Sequence, residues 1–143
     1  MSDDKTSQQD MQEMVAQLQY LQGVYTQRYD ILNEQIATYN MAKEAVMRNM
    51  DMIDRASSME NKTILLNADG GAYIEANIGK LDKMITYVGA GYLVEKPLPE
   101  AKEFLQATVK GGDAAVSRLV DERKKVEKEL FDISYKLAAF RQA

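Results

Sequence analysis

The side chains able to do chemistry in this chain are carboxylates, lysines, tyrosines and hydroxyls, because histidine and cysteine are both absent. That absence removes disulfides, thiolate nucleophiles, serine–histidine triads and every zinc site built on Cys or His. Glu100 and Glu103 lie one helical turn apart, a spacing that suits acid–base catalysis only inside a pocket. They follow Pro97-Leu98-Pro99, so negative charge at the start of a helix accounts for them more simply. Gly89 and Gly91 begin like a nucleotide-binding loop, yet Val94 stands where the third glycine belongs and no helix follows at once. The run from Asp121 to Glu129 mixes both signs at helical spacing, which describes a solvated, salt-bridged face rather than a nucleic-acid patch. No catalytic residue, metal ligand or cofactor is expected.

Composition narrows the classes further. Lys and Arg number 18 against 22 Asp and Glu, leaving a net charge of −4 over 143 residues. That balance disfavours a nucleic-acid partner held by general electrostatics. Hydrophobic residues make up 45%, enough for a packed structure of one domain's length. No apolar run approaches the roughly 20 residues that cross a bilayer. The first ten residues are acidic and polar, unlike a signal peptide. A soluble cytoplasmic protein with no membrane partner is the expectation.

The elements are legible from periodicity. From Gln8 to about Glu60 there is no proline and a single glycine, Gly23. Every seventh residue from Met11 is apolar or aromatic: Met11, Leu18, Tyr25, Leu32, Tyr39, Val46 and Ile53. A companion series three residues on (Met14, Leu21, Arg28, Gln35, Ala42, Asn49) is mixed. A seam sustained that long predicts a coiled-coil helix over 8–60, after a disordered tail over 1–7. The pattern returns over 99–142, where Leu105, Gly112, Leu119, Val126, Ile133 and Phe140 interleave with Val109, Val116, Arg123, Leu130 and Leu137. Gly111-Gly112 costs about 1 kcal/mol per glycine relative to alanine, which predicts a frayed, bent or tightly packed turn within an unbroken register.

Between the helices, over 61–96, the period changes to two. Lys62–Ala68, Ala72–Ile78, Met84–Val88 and Tyr92–Lys96 read as strands, joined by Asp69-Gly70-Gly71 and Gly89-Ala90-Gly91 as hairpin turns. The chain is therefore mainly α with a small β section, a single domain over 8–143. Four short strands cannot cover both their faces with one slender helix pair, and isolated hairpins are marginal in water. Leu65, Tyr73, Ile74, Ile85, Tyr87, Tyr92 and Val94 are the candidate assembly residues, with packing against the chain's own helices as the alternative use of some of them.

A chain that folds back at the β section makes its helices antiparallel, with a positions facing d positions. That rule sets Leu18 opposite Phe140, Tyr25 opposite Ile133, Leu32 opposite Val126, and Gln35 opposite Arg123 in one polar layer. It leaves Met11, Met14 and Val15 without cover at the free end. Residues 14–27 carry no charge, and uncovered apolar surface usually binds something. Met11, Met14, Val15, Leu18, Leu137 and Phe140 are the candidate client-contact residues; methionine suits an adaptable surface.

Two coiled-coil helices around two hairpins carry Thr63-Ile-Leu-Leu through Gly70-Gly71-Ala72-Tyr73-Ile74, then Tyr87-Val-Gly-Ala-Gly-Tyr-Leu-Val-Glu-Lys96, then Ala101-x-Glu103-Phe104-Leu105. Together these resemble the alpha-class subunit of prefoldin over nearly the whole chain. The departure is Gly111-Gly112, where good helix formers are expected. The resemblance implies a heterohexamer of two alpha and four beta subunits whose hairpins close into a β-barrel. It implies coiled coils that capture non-native client proteins without ATP and deliver them to a group II chaperonin. Helices of about 40 residues would give arms of roughly 60 Å. The competing expectation is a structural coiled-coil adaptor that binds one defined partner.

Overall fold

The computed structural model describes residues 2–142. Its first helix, α1, spans Ser2–Asp54, followed by one helical turn, α2, at Ala56–Met59. Four strands follow: β1 (Thr63–Asn67), β2 (Tyr73–Asn77), β3 (Lys83–Gly89) and β4 (Tyr92–Pro97). The last element is α3, Leu98–Gln142. The order expected from periodicity is the order found.

Residues 2–7, expected as a disordered tail, belong to α1; residues 1 and 143 lie outside the described residues. Asp3 and Asp4 fall in the first turn of the helix, where negative charge stabilises the exposed N–H groups. At the other helix start, Pro99 has no N–H to leave without an acceptor and Glu100 supplies the same favourable charge. Gly111 and Gly112 are helical, and a Cβ built on either meets nothing within 4 Å. Neither fraying nor tight packing is found at these glycines.

The chain divides into two compact units, residues 1–40 with 113–143, and residues 41–112. In the first, α1 and α3 run antiparallel along an apolar seam. Leu32, Ile36, Val126, Ile133 and Leu137 are buried there. The α1 residues that accompany Leu18, Tyr25 and Leu32 into the seam are Val15, Gln22, Tyr29 and Ile36, four on from each heptad position or three before it. Met14, Leu21, Arg28 and Gln35 are exposed instead, which corrects the companion series. The reason is that an apolar stripe closes equally well four residues on, and Val15, Tyr29 and Ile36 offer more apolar surface than Arg28 and Gln35.

The polar layer moves accordingly. Arg123 Nη1 donates to Asn33 Oδ1 at 2.9 Å, not to Gln35. Beside it, Arg28 Nε donates to Glu122 Oε1 at 2.9 Å. The α3 seam is the one expected from Leu105 onward.

In the second unit the hairpins are two separate two-stranded antiparallel sheets, β1 with β2 and β3 with β4. Asn67 Oδ1 accepts the Asp69 N–H at 2.9 Å, and Asp69, Gly70 and Gly71 all take positive φ. This Asx turn is why the Asp-Gly-Gly sequence reverses the chain there. Ala101, Leu105 and Ala56 are buried, and Lys102 Nζ pairs with Asp54 Oδ1 at 2.6 Å.

Candidate functional site

Two surfaces hold the candidate residues, and backbone pairing sorts the first of them. In the β3–β4 hairpin, Ile85 pairs with Glu95 and Tyr87 with Leu93, so these four share one face. Met84 pairs with Lys96 and Thr86 with Val94 on the opposite face. That second face is turned toward the unit's own helices. Thr86 is only 6% exposed, its hydroxyl donates to the Val94 carbonyl at 3.2 Å, and the Lys96 ammonium sits 4.5 Å from the centre of the Phe104 ring. Met84, Thr86, Phe104 and Leu105 wall one cleft, whose lining also takes in Ile85, Tyr87 and Leu93.

Ile85, Tyr87 and Leu93 are exposed together on the free face. The Tyr87 hydroxyl accepts the Gly91 N–H at 3.3 Å, which ties the ring to the hairpin turn. The structure thus separates the candidates: Ile85 and Tyr87 lie on the free face, Tyr92 and Val94 on the other, beyond a bulge at Tyr87/Gly89. Leu93 belongs with the first pair and is absent from the sequence-based set. The signal for it was the alternation itself, once the turn register is known.

The β1–β2 hairpin divides in the same way. Leu66 opposes Ile74 and Ile64 opposes Ala76, which makes one wholly apolar face. Leu65 and Tyr73 occupy the other face among Thr63, Asn67, Glu75 and Asn77, where the Thr63 hydroxyl donates to Asn77 Oδ1 at 2.9 Å. Leu65, Leu66, Tyr73 and Ile74 are all exposed. Leu66, also missing from the sequence-based set, pairs directly with Ile74.

The second surface is the end of the helix pair holding both chain termini. Met11 and Met14 are exposed, Met14 at 51%. Val15, Leu18 and Phe140 are half-buried, and Leu137 is buried at 7%. Phe140 lies in one cleft with Met11, Gln12 and Val15 and in another with Met14, Leu18 and Leu21. Phe140 therefore gives Val15 the cover that the expected register denied it. Outside the seam, Tyr20, Leu21 and Val24 are also exposed, all within the uncharged stretch 14–27. None of the three was singled out from sequence: the three-on companion series placed Leu21 in the seam, and Tyr20 and Val24 lay in neither heptad series.

Among the described residues, no three His, Cys, Asp or Glu side chains gather where they would hold a metal ion. No helix among them is long and apolar enough to cross a membrane.

Two long helices joined through a pair of hairpins, with apolar side chains exposed on the hairpins and at the helix end, define a mainly helical protein built around surfaces rather than a pocket. Comparison with known proteins places it. Residues 25–143 match the family described as Prefoldin subunit. A prefoldin subunit alpha of Methanococcoides burtonii is 38% identical over 104 residues, 71% of each chain. That of Methanocorpusculum labreanum is 29% identical over 126 residues, covering 87% of this chain and 86% of the relative. A chain in the cryo-EM structure of filamentous PFD from Methanocaldococcus jannaschii shares the fold with a TM-score of 0.67, covering 79% of this chain and 94% of that one at 18% identity. The chain belongs to the prefoldin family, a family of non-enzymatic chaperones.

Proposed function

We propose that this chain is the alpha subunit of an ATP-independent chaperone that captures unfolded proteins at its coiled-coil tips. The observation that carries the reading is the helix end, where Met14, Tyr20, Leu21 and Val24 are exposed within the uncharged stretch 14–27 and Met11 is exposed between Asp10 and Glu13. Apolar side chains there offer area to many sequences, and the absence of charge over 14–27 imposes little pattern on the client. Met11 and Met14 make the first contacts. Val15, Leu18 and Phe140 extend the surface, and Leu137 joins it only where the helix end opens.

The hairpins are the assembly section. Two of these chains with four beta-class subunits close their hairpins into a barrel, and the free face of Ile85, Tyr87 and Leu93 supplies the apolar surface to bury. Client transfer to a group II chaperonin in the cytoplasm completes the role; what the relatives support is the subunit class, by the name prefoldin subunit alpha.

The test is suppression of aggregation. A chemically denatured test protein is diluted into buffer with the assembled complex, and light scattering is followed. Suppression that falls when residues 1–17 are deleted, with assembly unchanged, supports the reading. Undiminished suppression by the deleted form refutes the tip as the capture site.

A further inference from the structure

We propose that the outer face of α3 is a docking surface for an acidic protein segment that carries an apolar anchor. Lys124, Lys128, Phe131 and Tyr135 follow one another at steps of four, three and four, which places them in one stripe along the helix. The stripe lies opposite the seam, since Val126, Ile133 and Leu137 are buried while all four of these residues are exposed. Phe131 is 70% exposed and Tyr135 72%. Two aromatic rings one turn apart in water, on the back of a helix whose other side is already packed, serve no purpose in the fold.

The charges say which partner the rings suit. Neither Lys124 nor Lys128 has an ion pair among the described residues. Two of the nearby carboxylates are turned the other way: Glu122 pairs with Arg28, and Glu127 approaches Arg123 Nε at 4.0 Å. Asp121 ends the stripe on one side and Asp132 flanks it, half-buried. What remains outward beside the two rings is three lysines without an ion pair among the described residues, Lys124, Lys125 and Lys128, against two exposed carboxylates, Asp121 and Glu129, in a protein whose net charge is −4. A partner with carboxylates around an apolar side chain satisfies both at once. A second copy offering the same stripe in a two-fold contact would bring lysine against lysine. The surface is separate from the uncharged helix end and does not depend on client capture there.

A labelled helical peptide bearing two leucines one turn apart between glutamates, titrated against the full-length chain by fluorescence anisotropy, tests this. The peptide should bind, and affinity should fall about tenfold or more for Phe131→Ser with Tyr135→Ser, as expected for aromatic anchors. Lys124→Glu with Lys128→Glu should weaken it comparably, and added salt should do the same in the unaltered chain. Unchanged helicity by circular dichroism shows that each variant folds. The proposal is overturned if the peptide fails to bind, binds the variants equally, or binds as well with lysines in place of its glutamates. It is overturned equally if the aromatic substitutions change the mass of the chain alone, which assigns the stripe to a second copy. Loss of aggregation suppression with peptide binding intact assigns it to clients, and preference for anionic vesicles assigns it to a lipid surface; either outcome overturns it.

Discussion

Arg123 reaches across the helix pair to Asn33, Nη1 to Oδ1 at 2.9 Å, while its own Nε is buried without a hydrogen-bond partner. The Arg123 side chain is 30% exposed, and its acceptor Asn33 follows fully buried Leu32 in the seam, so the guanidinium is partly withdrawn from water with incomplete compensation. A charge held this way costs desolvation that one hydrogen bond and a carboxylate at 4.0 Å do not fully repay. The layer orders the pair at some cost in stability.

Arg123→Leu should therefore raise the stability of the helix pair, by about 1 kcal/mol on the lower end of buried-ion replacements. Asn33→Ala should lower it by about 1–2 kcal/mol, because the guanidinium loses its acceptor. Thermal unfolding followed by circular dichroism reads both. A fall in melting temperature for Arg123→Leu would show the guanidinium to be adequately solvated where it lies.

The glycine pair gives an independent stability change. Gly111→Ala and Gly112→Ala each place a methyl group in open space within a regular helix. Each should stabilise by about 0.5–1 kcal/mol from helix propensity alone, measured by the same thermal unfolding. No gain from either would mean that the helix interior at these residues is not formed in solution.

The two faces of the β3–β4 hairpin should respond differently to charge. Ile85→Glu with Leu93→Glu alters only the exposed face and should leave the subunit folded while blocking assembly, read by size-exclusion chromatography. Thr86→Glu places its charge at a residue only 6% exposed on the other face and should destabilise the subunit itself, by about 1–3 kcal/mol for an unpaired polar group. Normal assembly of the first variant would place the interface on another face.

At the helix end, Met11→Ser with Met14→Ser should weaken aggregation suppression without changing the melting temperature appreciably, since both side chains are exposed. Leu137→Ser should instead lower the melting temperature, by about 2–4 kcal/mol of stability for a truncated, buried leucine. Equal effects of the two on stability would mean that the methionines are packed in solution.

How much of this was legible beforehand follows from the physics of each element. The helices and hairpins follow from periods of 3.5 and 2 and from Asp69-Gly70-Gly71, all local signals. The seam partner of Leu18 did not follow so simply: Leu21 and Gln22 both close a helical stripe, and the choice depends on the facing helix. Counting apolar residues along both companion series would have favoured Val15, Tyr29 and Ile36 over Met14, Arg28 and Gln35. Strand faces were ambiguous for another reason. A one-residue difference in hairpin register moves Leu93 and Val94 to opposite sides, and only the pairing of Tyr87 with Leu93 settles which is free. Phe131 and Tyr135 stood in the sequence throughout, but their burial could not be read until the seam was known.

The most direct measurement is the native mass of this chain, alone and mixed with an archaeal beta-class prefoldin subunit. The account predicts a mixed species holding two of these chains and four of the partner. A homo-oligomer of fixed or open-ended size that ignores the partner would contradict it and leave a coiled-coil adaptor as the better description.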